Sequence, residues 1–158
     1  MSMKANNDRF IQKVIELAQR NVEKYSGGPF AAVIVKKDKI ISYGYNRVTS
    51  KNDPTEHAEI NAIRKAAKKL KTFNLKGCVI YSSSQPCPMC FSAIYWANIK
   101  NIYYAAQKET VSKYGFKDNK IYKELQTNNM SVKMRHIKSP DVLVPFKAWR
   151  RKKDKIKY

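Results

Sequence analysis

Phe10, Val14, Leu17, Ala18 and Val22 recur at helical spacing, which predicts an amphipathic helix over roughly residues 7 to 25. Gly27-Gly28-Pro29 breaks it. Two β-rich runs follow, Phe30 to Val35 and Lys39 to Tyr45, around Lys36-Lys37-Asp38, so an antiparallel hairpin is expected. Ala62, Ile63, Ala66, Ala67 and Leu70 mark an apolar helical face over about 55 to 70, with Asp53-Pro54 as its cap and opening. Asn74 and Gly77 lead to a third strand at 78 to 83, then to a helix over about 87 to 97 and a short β-rich run, Asn101 to Ala106. Farther on the pattern weakens. Ser112 to Leu125 reads as partly helical, Asn128-Asn129 as a turn and Met130 to Ile137 as a last strand. Val144 to Tyr158, with Phe146, Trp149 and Ile156 among many charges, predicts a terminal amphipathic helix.

Strand, helix and strand at this spacing imply parallel pairing through a right-handed crossover. The expected class is therefore α/β, a three-layer α/β/α arrangement around a mixed sheet of about five strands. A length of 158 residues with 43% hydrophobic content fits one domain spanning 1–158. No apolar run approaches a membrane span and the N-terminus lacks a signal peptide's hydrophobic region, so a cytoplasmic protein with reduced cysteines is expected. Net charge is +20, a field that attracts polyanions. The basic residues are scattered, however, and lysine outnumbers arginine, the better residue for bidentate phosphate recognition. Nucleic acid stays open as a partner without being favoured.

The candidate chemistry lies in His57-Ala58-Glu59 and Pro86-Cys87-Pro88-Met89-Cys90. His57, Cys87 and Cys90 form a set of three zinc ligands that leaves a fourth tetrahedral position for water. Glu59 is then a non-ligating acid that can move protons. Cys87 and Cys90 are i and i+3, neighbours on one helical face, and Pro86 and Pro88 suit a helix entry. Cys-x-x-Cys alone also fits a redox pair or half of a structural zinc site. A structural site would have to recruit Cys78, which sits in a buried-strand pattern, or His136, which sits in a polar stretch. The two motifs together match the general signature of zinc deaminases.

Beyond those motifs the chain resembles the bacterial guanine deaminases of the cytidine deaminase superfamily. The resemblance rests on Gly27-Gly28-Pro29-Phe30-Ala31-Ala32-Val33, Asn46, Asn52 to Glu59, Pro86 to Cys90 and Ala93-Ile94-Tyr95-Trp96-Ala97. It extends through Tyr114-Gly115-Phe116-Lys117-Asp118, Ile121 to Glu124 and Pro145 to Arg150. It implies a cytidine deaminase-like fold, one Zn²⁺ per subunit, and hydrolysis of guanine to xanthine and ammonia through attack of a zinc-activated water on C2. Carried over residue by residue, it implies that Phe30 stacks on the purine, Asn46 bonds the base edge and Asp118 accepts from ring N–H groups. Ala58 and Trp96 would line the pocket and Tyr158 would close it. It further implies a homodimer in which the segment from about 140 to 158 crosses to the partner subunit. Two departures stand out: Gln85 replaces the superfamily's usual glutamate before Pro86, and residues 126 to 143 do not match. Two other readings remain beside it: a deaminase of tRNA adenosine or another nucleic-acid base, and an inactive zinc-containing nucleic-acid-binding protein.

Overall fold

The structure, a computed structural model, describes residues 3–25, 27–127 and 129–156. Helix α1, Met3–Tyr25, precedes a hairpin of β1, Ala31–Lys36, and β2, Lys39–Tyr45. The hairpin loop is Lys37-Asp38, both at positive φ (48° and 58°), which is the type I′ geometry that matches strand twist. A short helix α2, Val48–Lys51, leads to α3, Ala58–Leu70, then to β3, Val79–Ser84, α4, Pro88–Trp96, and β4, Asn101–Ala106. Three further helices follow: α5, Lys108–Ser112, α6, Asp118–Thr127, and α7, Val144–Arg151.

The strands form one mixed sheet in the order β2-β1-β3-β4. β1 is antiparallel to both β2 and β3, and β3 is parallel to β4, as the intervening α4 requires. Alternation along β1 feeds two cores. Ala31, Val33 and Val35 face α1 with Phe10, Val14 and Leu17, while Ala32 and Ile34 face Ala58, Ala62, Ala66 and Ile94 of α3 and α4. Each fully buried Val or Ile side chain contributes about 1.5–3 kcal/mol relative to an exposed one. The result is the expected three-layer α/β/α architecture.

Three expectations are corrected. The described residues form four strands, not five. The run from Met130 to Ile137 is irregular, with Val132, Met134 and Ile137 at least 70% exposed, so it buries no face that would hold it in a sheet. Helix α3 is capped not at Asp53-Pro54 but at His57, because Asp53 Oδ1 is occupied by the N–H and hydroxyl of Thr55, each at 2.7 Å. The terminal amphipathic helix stops at Arg151.

α3 crosses β2 at Gly44, where a Cβ would fall 1.9 Å from the Ala58 carbonyl and 2.5 Å from the Ala62 nitrogen. Only glycine permits that approach. The alanine face of α3 thereby rests on the sheet backbone, and its N-terminus is held at the strand ends.

Candidate active site

α3 and α4 aim their N-termini at one point. The N-cap of α3 is His57 and that of α4 is Cys87, both with extended backbone, so each side chain leaves just ahead of the first helical turn. Cys90 follows on the near face of α4. His57 Nδ1 lies 3.6 Å from Cys87 Sγ and 3.5 Å from Cys90 Sγ, and the three ligand atoms lie within 4.8 Å of one another. Tetrahedral zinc, with bonds of about 2.3 Å to sulfur and about 2.0–2.1 Å to nitrogen, requires N···S edges of roughly 3.6 Å. The donor set therefore fits zinc in both spacing and softness.

Proton placement follows from the same contacts. The Cys90 thiol beside it and the adjacent imidazole of His57 draw Cys87 down to about 4 against the cost of burial. Cys90 is pushed well up by the Cys87 sulfur and by burial. The two sulfurs thus favour sharing one proton, which a metal cation bound to both would displace. The hydrogen bond with Cys87 raises His57 above the usual imidazole value.

Glu59 sits in the first turn of α3 and is 5% exposed. Its Oε1 accepts a 2.9 Å hydrogen bond from the Ser82 hydroxyl on β3, and Oε2 lies 3.4 Å from Cys90 Sγ. Burial pushes its carboxyl up, and the Ser82 bond only partly opposes this. A carboxyl with raised proton affinity beside a ligand set is suited to taking and returning a proton. It has no place in a purely structural metal site.

The ligands open onto a cleft of about 260 Å³ whose walls include Phe30, Asn46, Ala58, Phe116 and Asp118. Four of the predicted binding residues, Phe30, Asn46, Ala58 and Asp118, are thus brought together with His57, Cys87 and Glu59. Phe116 meets Phe30 edge to face, with ring centroids 4.8 Å apart and planes at 83°. Burial raises the Asp118 carboxyl above its ordinary value. Gln85 also lines the cleft, and its Oε1 accepts weakly from the Lys108 backbone N–H at 3.4 Å.

Trp96 is not brought to the cleft of its own chain. It stands at the end of α4, 62% exposed, in a separate groove with Ile63, Ala67 and Phe73, and does not line its own chain's cleft. Nine residues of helix carry it away from the N-terminus that holds Cys87 and Cys90. Tyr158 lies outside the described residues. Sequence reasoning missed Ser82, whose signal was a polar run, Ser82-Ser83-Ser84, at the end of an apolar strand. It also missed Phe116, an aromatic two residues before Asp118.

Comparison with known proteins agrees with this geometry. Residues 4–106 match the cytidine and deoxycytidylate deaminase zinc-binding region. The chain is 43% identical over 155 residues to guanine deaminase of Bacillus subtilis strain 168, covering 97% of this chain and 99% of that one. The crystal structure of that enzyme superposes with a TM-score of 0.92 at 42% identity, over 100% of this chain and 99% of the other. A tRNA-specific adenosine deaminase of Buchnera aphidicola subsp. Schizaphis graminum is 36% identical over 135 residues, 85% of this chain and 88% of that one. A further solved structure, in complex with 2,6-diaminopurine, matches 71% of this chain and 62% of its own length at 34% identity and a TM-score of 0.68. The chain belongs to the cytidine and deoxycytidylate deaminase family.

Proposed function

We propose that this protein is a zinc-dependent hydrolase that converts guanine and water to xanthine and ammonia. The observation that carries this reading is the single cleft in which Phe30, Asn46 and Asp118 face His57, Cys87 and Glu59. Full-length similarity to a guanine deaminase supports it.

His57, Cys87 and Cys90 would hold zinc, one ion per subunit, which would supply the Lewis acidity that makes water nucleophilic at neutral pH. The protein's own groups do the rest. Glu59 carries one proton from the attacking water to the ring, and then the second, from the hydroxyl left on C2, to the departing amine as the C2–N bond breaks. Phe30 stacks on the purine, with Phe116 bracing the ring, and Asn46 bonds its edge. Ionised Asp118 is an acceptor only, so it favours a base whose ring nitrogen N1 carries an N–H donor, as in guanine, over adenine, whose unprotonated N1 is an acceptor.

The active unit in this reading is a homodimer whose segment from about 140 to 158 reaches the partner's cleft, with Tyr158 closing it. Exposure of Phe146 (65%) and Trp149 (44%) on α7 supports a partner surface for that segment. A cytoplasmic setting fits the three free cysteines.

Zinc-loaded protein incubated with guanine should release xanthine and ammonia in equal amounts. A panel of free bases, nucleosides and tRNA separates this from the adenosine reading, and turnover of tRNA without turnover of guanine would reverse the assignment.

A further inference from the structure

Asn21 lies in the last turns of α1 and is fully buried, the most enclosed polar side chain among the described residues. Its Nδ2 donates twice, to the Gly28 carbonyl at 2.8 Å and to the Asn46 carbonyl at 2.9 Å. Both acceptors are carbonyl oxygens, so the amide has only one orientation that satisfies them. Its Oδ1 has no hydrogen-bond partner among the described residues. A buried amide oxygen in that state costs stability, so the side chain is retained for its two donors.

Those donors join the two walls of the cleft. Gly28 O also accepts from the Phe30 N–H at 2.7 Å, and Phe30 O accepts from the Asn46 N–H at 3.1 Å. Gly28, Phe30 and Asn46 therefore form a short ring of bonds with Asn21 as the spoke from α1. The space is taken up completely: a Cβ at Gly27 would fall 2.4 Å from Asn21 Nδ2 and 2.3 Å from the Asn46 carbonyl. At Gly28 it would come within 3.2–3.3 Å of the Asn46 amide and the Phe30 ring. The backbones that carry the stacking ring and the edge-reading amide cannot separate without breaking this ring of bonds.

We infer that Asn21 is a positioning residue for purine recognition, which holds together, from outside the cleft, the backbone segments that carry the Phe30 ring and the Asn46 amide. The inference rests on the assignment of Phe30 and Asn46 to the purine. Asn21 touches no substrate, so its loss acts through binding geometry that the ground state and transition state share. Such a loss appears in KM more than in kcat. Partial unfolding does the reverse, because it lowers the apparent kcat by removing active molecules and leaves KM alone.

The test is a double-mutant cycle on the full-length zinc-loaded protein with Asn21→Ala, Asn46→Ala and the pair, read as kcat and KM for guanine. Asn21→Ala should raise KM roughly tenfold, the order expected for two ordinary hydrogen bonds, with kcat per bound zinc nearly unchanged. In the Asn46→Ala background the same change should raise KM much less, because the two act as one unit. An unchanged KM for Asn21→Ala, or strictly additive effects, would overturn the inference. Where Asn46→Ala itself leaves KM unchanged, the assignment of Asn46 to the purine fails, and the role of Asn21 falls with it. If Asn21→Ala yields no folded protein, Gly28→Ala presses on the same ring from the cleft side: raised KM supports the linkage and unchanged KM overturns it.

Discussion

The Tyr122 hydroxyl donates a 2.5 Å hydrogen bond to the Pro86 carbonyl, linking α6 to the loop that delivers Cys87. Tyr122 stands one turn after Asp118 on the same face of α6. That helix buries no residue of its own, so a single bond has a large share in setting where Asp118 stands relative to the zinc ligands. Tyr122→Phe keeps the ring under Lys108 Nζ, 4.9 Å from its centroid, and removes only the hydroxyl. It should cost about 1 kcal/mol of stability and raise KM for guanine without altering zinc content. An unchanged KM would show that Asp118 is positioned by other means.

Glu59→Gln preserves shape and the bond from Ser82 but removes the proton carrier. Turnover should fall by roughly 10²–10⁴-fold while zinc stoichiometry by elemental analysis stays at the wild-type level. Undiminished turnover would exclude the proposed proton path.

Zinc should also hold the fold together at the junction of α3 and α4. Stripping with a chelator should abolish turnover and lower the thermal midpoint, and stoichiometric zinc should restore both, since a ligand that binds only the native state stabilises it by mass action. His57→Ala should lose the response of the midpoint to zinc. Full activity in metal-free protein would contradict the ligand assignment.

Asp118 gives a pH signature. The accepting form is the carboxylate, and burial raises its proton affinity, so that form is lost on acidification at a higher pH than for an exposed aspartate. KM for guanine should therefore climb as pH falls through this raised value. Folding has the matching sign: the contribution of this group is full below its unfolded value and is lost as pH rises through its folded one, so Asp118→Asn should not destabilise the neutral protein. Asp118→Asn should raise KM at neutral pH and flatten the acid limb. Survival of that limb in the variant would assign it to another group.

Removal of residues 140–158 tests the partner contribution. Sedimentation should shift from dimer to monomer and turnover should collapse, whereas a truncated protein that stays dimeric and active would place the tail outside the active unit.

Much of this architecture was legible in the chain because local rules acted alone. The buried stripe from Phe10 to Ala18, the hairpin around Lys37-Asp38 and the juxtaposition of Cys87 and Cys90 follow from periodicity, turn chemistry and i,i+3 spacing, whereas Val22, expected on the same stripe, is 51% exposed. Met130 to Ile137 misled because alternation gives a strand only where a face can be buried, and here none is. Membership in a motif likewise does not fix direction: α4 carries Trp96 at its far end away from its own chain's cleft.

By itself the sequence determined the candidate reagents: a soft three-residue donor set suited to zinc, an acid two residues from His57, and two helix starts to present them. Residue type and spacing suffice there because coordination chemistry and helix capping are local. Only the tertiary structure decided what surrounds that centre. It set Glu59 against Ser82, Phe30 against Phe116, and Asn21 beneath Gly28 and Asn46, over separations of 23, 86 and 25 residues. Such long-range contacts depend on strand order and on the close approach at Gly44, which no short pattern along the chain encodes.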